Sequence, residues 1–192
     1  MRSEILSPGG KMERQEALDL VFELVSEPNL CNHMLSTEAV MRALARRFEQ
    51  DPDYWGLAGL VHDLDYDETI NDFPRHGYVT SEILREKGVP EEILDAVVAH
   101  AGHRERVTLL DKALYCADPI TGLVVAAAMI RHEKKLEPVK LKSLKKRFKE
   151  KQFARGADRD QIRSCEDLGM ELDEFLELSL EAMKGIADEI GL

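Results

Sequence analysis

The sequence is poor in the residues that build disulfide frameworks and membrane spans. It has three cysteines in 192 residues, Cys31, Cys116 and Cys165, which are far apart and odd in number. Such a set forms neither a disulfide scaffold nor a paired-cysteine zinc site, so we interpret all three as reduced core thiols. No apolar run approaches the roughly 18 residues of a spanning helix. Residues 1–10 lack the apolar segment of a signal peptide, so we expect a flexible leader and a cytoplasmic protein.

Basic charge is also scarce. The formal net charge is -11, which argues against DNA backbone binding, because phosphate contacts need a basic surface. Residues 131–155 are the exception: they carry eleven Lys or Arg against three Glu, while the rest of the chain carries 15 basic and 34 acidic residues. No tryptophan or long apolar face accompanies this segment, so we do not expect it to bind a membrane.

The alternating pattern of a β-strand is missing, and a helical period of 3.6 residues dominates nearly everywhere. The length fits one domain, and 44% apolar residues suffice for a core. We predict an all-α, single-domain bundle of eight or nine helices. Residues 11–130 form its metal-binding core, and residues 131–192 form a C-terminal helical extension packed on the same domain, with the basic segment at 131–155.

Proline, glycine and capping residues predict the helix boundaries that place the histidines and aspartates. We expect Asp53 to cap a helix that ends near His62. We expect His76 to lie on the core-facing stripe of a helix over 71–88, and Asp118 to end a helix that is separate from the next apolar one. The predicted helices that matter here cover 33–50, 53–61, 71–88, 91–100, 108–117 and 121–130.

Metal-binding side chains are concentrated on these helices. The densest stretch is 62–67, where His62 and Asp63 follow an apolar run and Asp65 and Asp67 come next. Imidazole nitrogen beside carboxylate oxygen suits Zn, Fe, Mn and similar ions. A single histidine on an apolar face is more often a hydrogen-bonded core residue, but helical bundles build metal sites from inward-facing side chains on several helices. The six candidate ligands are His33, His62, Asp63, His76, His100 and Asp118.

The order of these residues resembles that of a known family. His33, His62-Asp63 and Asp118 follow the H…HD…D pattern of the HD-domain superfamily of metal-dependent phosphohydrolases, over roughly Cys31 to Gly122. His76 and His100 resemble the two extra histidines of its binuclear, HDIG-type branch, which gives H…HD…H…H…D. The resemblance implies one divalent ion on the first four residues and a second on His76 and His100, with Asp63 bridging. Mn, Fe, Zn, Mg, Co and Ni are the candidate ions.

The resemblance also implies hydrolysis of a phosphate ester, in a nucleotide or another phosphomonoester or diester, by metal-activated water. Several HD nucleotidases resemble one another in a Glu three residues after the HD aspartate, where this chain has Tyr66. Asp63 and Asp65 are therefore the candidate catalytic residues, with Asp65 orienting water or donating a proton. Asp67 fits a solvated loop better.

Several hypotheses stay open. The chain could be a di-iron oxygenase of the HD type, or a nucleotide sensor or interaction module without turnover. The basic segment is either a solvated helix face or an electrostatic rim for an anionic phosphorylated small molecule, foremost a nucleotide. The candidate substrate contacts are Lys145, Lys146, Lys149 and Arg155. His103 could replace or supplement His100, and Asp111 could support a ligand histidine. The oligomeric state is left open.

Overall fold

A computed structural model describes residues 12–192, and all regular structure in this range is helical. Eight of its ten α-helices have nine or more residues, so the prediction of an all-α bundle of eight or nine helices is confirmed. The predicted leader, residues 1–10, lies outside the described residues. The helices are α1 (Arg14–Leu24), α2 (Pro28–Arg47), α3 (Pro52–Val61), α4 (Tyr66–Thr69), α5 (Tyr78–Glu86), α6 (Glu91–His100), α7 (Leu109–Met129), α8 (Leu141–Lys149), α9 (Arg159–Arg163) and α10 (Leu172–Lys184).

Helix α7 is the central element. It packs against α2, α3, α6, α8, α9 and α10. By length and composition alone it could cross a membrane, but 56% of its most apolar 18-residue stretch is buried inside the protein. A helix that is apolar on most sides is buried when other helices surround it. The C-terminal helices α8 to α10 pack on α7 and share one hydrophobic core with α1, α2, α3, α5 and α6.

Helices α2 and α3 approach each other closely at Gly59. A Cβ atom at this position would lie 2.8 Å from the carbonyl oxygen of Thr37 and 2.9 Å from a side-chain carbon of Met41. Only glycine fits this contact without displacing backbone. The close approach brings α2 and the end of α3 together, and these segments carry His33 and His62.

Two predicted boundaries near these helices are wrong. Helix α2 begins at Pro28, five residues before the predicted start, because proline is well placed at the first position of a helix. His33 therefore lies in its second turn. Asp51, and not Asp53, caps α3: its carboxylate accepts hydrogen bonds from the backbone N–H groups of Asp53 and Tyr54.

The predicted helix over 71–88 is interrupted at His76. A 3-10 turn covers Phe73–Arg75, His76 is extended with φ -56° and ψ 135°, and Gly77 has φ 78°. The predicted helical stripe through His76 is therefore wrong. Gly77 is needed here because φ is positive and a Cβ atom would lie 2.9 Å from the carbonyl oxygen of Val97.

The two helices predicted over 108–117 and 121–130 are one. Helix α7 continues through Pro119, so Asp118 lies inside a helix and not at its end. Packing on six neighbouring helices outweighs the local cost of proline in a helix interior.

Candidate metal centre

The carboxylate of Asp63 lies among four imidazole rings. Its Oδ2 atom is 3.6 Å from Nε2 of His33 and 3.5 Å from Nε2 of His62. Its Oδ1 atom is 3.4 Å from Nε2 of His76 and 3.2 Å from Nε2 of His100. Each carboxylate oxygen therefore faces two imidazole nitrogens.

Asp118 completes the first half of this arrangement, because its Oδ1 atom lies 3.3 Å from Nε2 of His33. The structure thus brings all six candidate ligands together, from α2, the end of α3, the turn before α5, the end of α6 and the middle of α7. Two groups of three have ligand atoms that all lie within 4.8 Å of one another: His33, His62 and Asp118, and His62, Asp63 and His100.

Backbone carbonyls determine which ring nitrogen of two histidines carries the proton. Nδ1 of His62 lies 2.8 Å from the carbonyl oxygen of Gly59, and Nδ1 of His100 is hydrogen-bonded to the carbonyl oxygen of Val97. A carbonyl oxygen only accepts, so both Nδ1 atoms donate. The unprotonated Nε2 atoms of the neutral rings face the centre, as metal binding requires.

In His33 and His76, hydrogen bonds with side chains determine that Nδ1 carries the proton. Nδ1 of His33 is 2.8 Å from the hydroxyl oxygen of Thr121, and this hydroxyl donates its own hydrogen to the backbone carbonyl of Asp118 at 2.9 Å. Nδ1 of His76 donates to the Asp65 carboxylate at 2.8 Å. All four Nε2 atoms are therefore directed at the same space, and their rings are held in orientation from behind.

This arrangement fits a bound cation. The Nε2 atoms of His33 and His62 are 3.1 Å apart, and each ring already carries its hydrogen on Nδ1. Two lone pairs at this distance in a buried site repel each other unless a proton or a metal ion lies between them. Nitrogen and carboxylate donors suit the divalent ions that the sequence predicts.

Without a bound metal ion, the titratable groups of the centre have shifted pKa values. Burial favours the neutral imidazole, but contacts with Asp118 and Asp63 outweigh it and raise the pKa of His33 to about 10. Burial lowers the pKa of His62 to about 4. Burial opposes ionisation of Asp63, yet His62, His100 and His33 hold its pKa well below the ordinary value. The metal-free site therefore carries a proton on His33 next to ionised carboxylates.

The centre opens to solvent on one side. The side chains of His62, Asp63, His76 and His100 are at most 7% exposed. The side chain of His33 is 21% exposed and that of Asp118 is 28% exposed. A substrate or water can therefore approach from the His33–Asp118 side.

Asp65 lies behind His76 and not in the centre. One oxygen of its fully buried carboxylate accepts from His76, and the other accepts from the backbone N–H groups of Gly77 at 2.7 Å and Thr80 at 3.0 Å. These bonds orient the imidazole and satisfy donors at the start of α5. The position does not match the predicted role as acid or base.

His103 and Asp111 also lie elsewhere. The ring of His103 stacks on Tyr78, and its Nε2 donates to the carbonyl oxygen of Phe73 at 3.1 Å. Asp111 caps α7 by accepting from the backbone N–H groups of Val107 and Thr108. Within residues 12–192, neither residue forms a hydrogen bond, ion pair or ring contact with a candidate ligand.

The basic residues lie outside the centre. Lys145 forms an ion pair with Asp173 at 2.5 Å, and the side chains of Lys146, Lys149 and Arg155 are exposed. In the described part of the chain, none of the four forms a hydrogen bond or ion pair with a candidate ligand. Their predicted role in substrate binding remains a prediction.

Gln161 on α9 lies next to the candidate ligand Asp118 and is not among the residues predicted from the sequence. Pro119 has no N–H, so the carbonyl of Tyr115 loses the donor four residues later. The side-chain amide of Gln161 donates to this carbonyl at 2.8 Å and lies 3.4 Å from Oδ2 of Asp118. The signal in the sequence was a proline directly after a candidate ligand, because the carbonyl it frees needs another donor.

Comparison with known proteins identifies the pattern. The family model described as HD domain matches residues 30–159. An uncharacterized protein, MJ0778, of Methanocaldococcus jannaschii is 33% identical over 96 residues, which are 47% of this chain and 55% of that protein. A tRNA (cytidine(56)-2'-O)-methyltransferase of Thermoplasma volcanium is 26% identical over 121 residues, 60% of this chain and 35% of the methyltransferase. The chain thus spans about a third to about half of these relatives. No solved structure matches it.

Proposed function

The chain belongs to the HD domain family, and on this premise we propose that it is a metal-dependent phosphohydrolase that cleaves a phosphate ester. The substrate is an anionic phosphorylated small molecule, foremost a nucleotide or another phosphomonoester or diester. The observation that carries the proposal is the Asp63 carboxylate, each oxygen of which faces two inward-directed imidazole nitrogens. These residues would hold one or two divalent ions, which would supply the chemistry of a phosphohydrolase.

We assign the ligands to two groups, which the distances support. Oδ2 of Asp63 belongs with His33, His62 and Asp118, and Oδ1 belongs with His76 and His100. When bound, divalent ions at these positions supply Lewis acidity, which activates water and neutralises charge on a phosphoryl group.

The protein itself orients the metal ligands and excludes water from the centre. Hydrogen bonds at each Nδ1 hold the four rings with Nε2 directed at the centre, which orients these ligands before an ion binds. The buried side of the centre excludes bulk water, which strengthens every electrostatic interaction inside it. The open side at His33 and Asp118 admits the phosphate ester. No serine or cysteine nucleophile is needed in this scheme.

Substrate attraction is assigned to the basic segment of residues 131–155. Lys145 is neutralised by Asp173, so Lys146, Lys149 and Arg155 carry the larger part of the attraction in this proposal. A positive segment on an otherwise acidic protein raises the local concentration of anions and their rate of association. We place the reaction in the cytoplasm, with which the three free, buried thiols are compatible.

Elemental analysis of the purified protein, combined with a screen of nucleotides and phosphomonoesters, tests the proposal. His62→Ala and Asp63→Ala should lose metal and phosphate release together while the helical circular dichroism is kept. Asp67→Ala is the matched control, because Asp67 is an exposed carboxylate of the same stretch that bonds Ser26. Full metal content and full hydrolysis in His62→Ala would refute the assignment.

The same experiment separates the two other hypotheses. A mixed-valent iron pair and oxygen consumption without phosphate release would indicate the di-iron oxygenase. A nucleotide that raises Tm without any product would indicate the sensor. A colourless protein that contains Mn or Zn and releases phosphate would exclude both.

A further inference from the structure

Arg106, in the loop between α6 and α7, has no carboxylate partner in the described part of the chain. It is half-buried, and its guanidinium carbon lies 3.8 Å from the centre of the Tyr115 ring. Within residues 12–192 its side chain forms no hydrogen bond or ion pair. Arg104, two residues earlier, is paired with Asp95. The guanidinium of Arg106 is therefore fixed in place while its N–H donors are available to a group from outside.

Tyr115 places this guanidinium on the open face of α7. Tyr115 and Asp118 are half-exposed and Gly122 is exposed, whereas most other residues in this part of the helix are buried. Residues three and four apart on a helix are neighbours on one face. Arg106 and the open side of the metal centre therefore border the same surface.

The spacing along α7 shows what Arg106 can reach. Three helical residues rise by about 4.5 Å, and a helical side chain leans towards the N-terminus of its helix. The Tyr115 ring therefore holds the guanidinium about one helical turn before Asp118. Because the guanidinium and Asp118 are offset along α7, Arg106 suits a part of the bound molecule other than the phosphoryl group held at the six candidate ligands.

We propose that Arg106 binds a second anionic group of the substrate, separate from the phosphoryl group at the metal centre. A planar guanidinium stacked on an aromatic ring keeps its edge free for paired hydrogen bonds to phosphate or carboxylate oxygens. This inference rests on the proposed function and narrows its substrates to phosphate esters that carry two negative groups, one at each end of the α7 face.

The test compares two sugar phosphates that differ by one phosphate, fructose 6-phosphate and fructose 1,6-bisphosphate. Their affinities for the Mn-loaded full-length protein are measured by titration calorimetry, with phosphate release monitored in parallel. Wild type should bind the bisphosphate more tightly. Arg106→Ala should bind the bisphosphate about 10- to 100-fold more weakly, because a hydrogen bond to a charged group contributes an affinity of this size. Its affinity for the monophosphate should stay unchanged.

Arg104→Ala is the matched control, since it removes an arginine of the same loop that is already paired with Asp95. It should behave like wild type, and all three proteins should contain equal amounts of metal. The proposal is overturned if wild type binds the bisphosphate no more tightly than the monophosphate, or if Arg106→Ala matches Arg104→Ala. A wild-type protein that holds no metal and releases phosphate from none of the nucleotides and phosphomonoesters of the screen would instead refute the proposed function.

Discussion

Asp63 and Asp65 are two residues apart in the chain but have different surroundings. Both oxygens of Asp63 face Nε2 atoms of candidate ligands, whereas both oxygens of Asp65 accept hydrogen bonds from His76 and from the backbone at the start of α5. One carboxylate is available to cations, and the other positions a ligand.

The first prediction concerns Asp65→Asn. An amide cannot accept from His76 on one side and from two backbone N–H groups on the other, because one of its two ends is a donor. We expect the affinity for the ion on the His76 side to fall about 10- to 100-fold, with the other ion retained. Metal titration measures the stoichiometry, and Asp67→Asn is the control. Equal loss of both ions would contradict this role.

The second prediction concerns pH. The pKa of His33 in the metal-free fold is raised from 6.5 to about 10, mainly because Asp118 and Asp63 outweigh burial. The folded state therefore keeps a proton that the unfolded chain has lost, so this stabilisation is complete below pH 6.5 and disappears as the pH rises to 10. The Tm of metal-free wild type should fall across this window, and that of His33→Gln should fall less. Parallel curves would contradict the prediction.

Among the elements, the pair α2 and α3 determines the distance between His33 and His62. Their Nε2 atoms are 3.1 Å apart because Gly59 lets the two helices touch at Thr37. The carbonyl of the same glycine also orients His62. A change in the packing of these helices should therefore affect both stability and metal binding.

The third prediction is that Gly59→Ala lowers both the stability of the fold and its affinity for metal. The added Cβ atom would lie 2.8 Å from the Thr37 carbonyl oxygen, so the helices must separate, which costs about 1–3 kcal/mol of unfolding free energy. Gly122→Ala is the control, because its Cβ atom meets nothing closer than 4.0 Å. Urea unfolding and metal titration measure the two effects. Wild-type metal affinity in Gly59→Ala would show that the contact does not position the ligands.

Helix α9 supports the centre through Gln161, and the fourth prediction tests this. Gln161→Ala should weaken the affinity for the ion bound by Asp118 about 10- to 100-fold, because one oxygen of that ligand loses its neighbour at 3.4 Å. Gln152→Ala, at an exposed glutamine, is the control. A lower Tm with unchanged metal affinity would mean that Gln161 only anchors α9 to the Tyr115 carbonyl.

At the scale of the whole molecule, the centre joins segments from all over the chain. The ligands come from α2, α3, α6, α7 and the turn before α5, so ordering them requires most of the fold. An ion that binds only the folded state stabilises that state by mass action.

The fifth prediction is that chelation of the metal lowers Tm by about 5–10 °C, as expected for an ion present at about 100 times its Kd. Adding the ion back should restore Tm. The Asp63→Ala protein should show no change with chelator or metal, since it lacks the shared carboxylate. Differential scanning fluorimetry measures Tm after chelation, after the ion is added back, and in Asp63→Ala. A wild-type Tm that does not depend on metal would contradict the coupling between metal binding and folding.

Much of the fold follows from local pattern. The 3.6-residue period predicts helices because it places apolar residues on one face, and the structure has helices in nearly all predicted places. The errors concern ends and breaks. His76 leaves the helix because Gly77 packs against the Val97 carbonyl, and α7 runs through Pro119 because neighbouring helices and Gln161 compensate for the missing N–H. Both depend on residues distant in sequence.

The helical class and the identity of the six side chains that converge can be predicted from the sequence, because periodicity and residue chemistry are local properties. The fold determines how they converge: which Asp63 oxygen faces which pair of histidines, which ring nitrogen points inward, and which side is open. It also decided that Asp65 supports His76 and that Arg106 lies on the Tyr115 ring. These facts depend on distances of a few ångströms between separate helices, which packing sets.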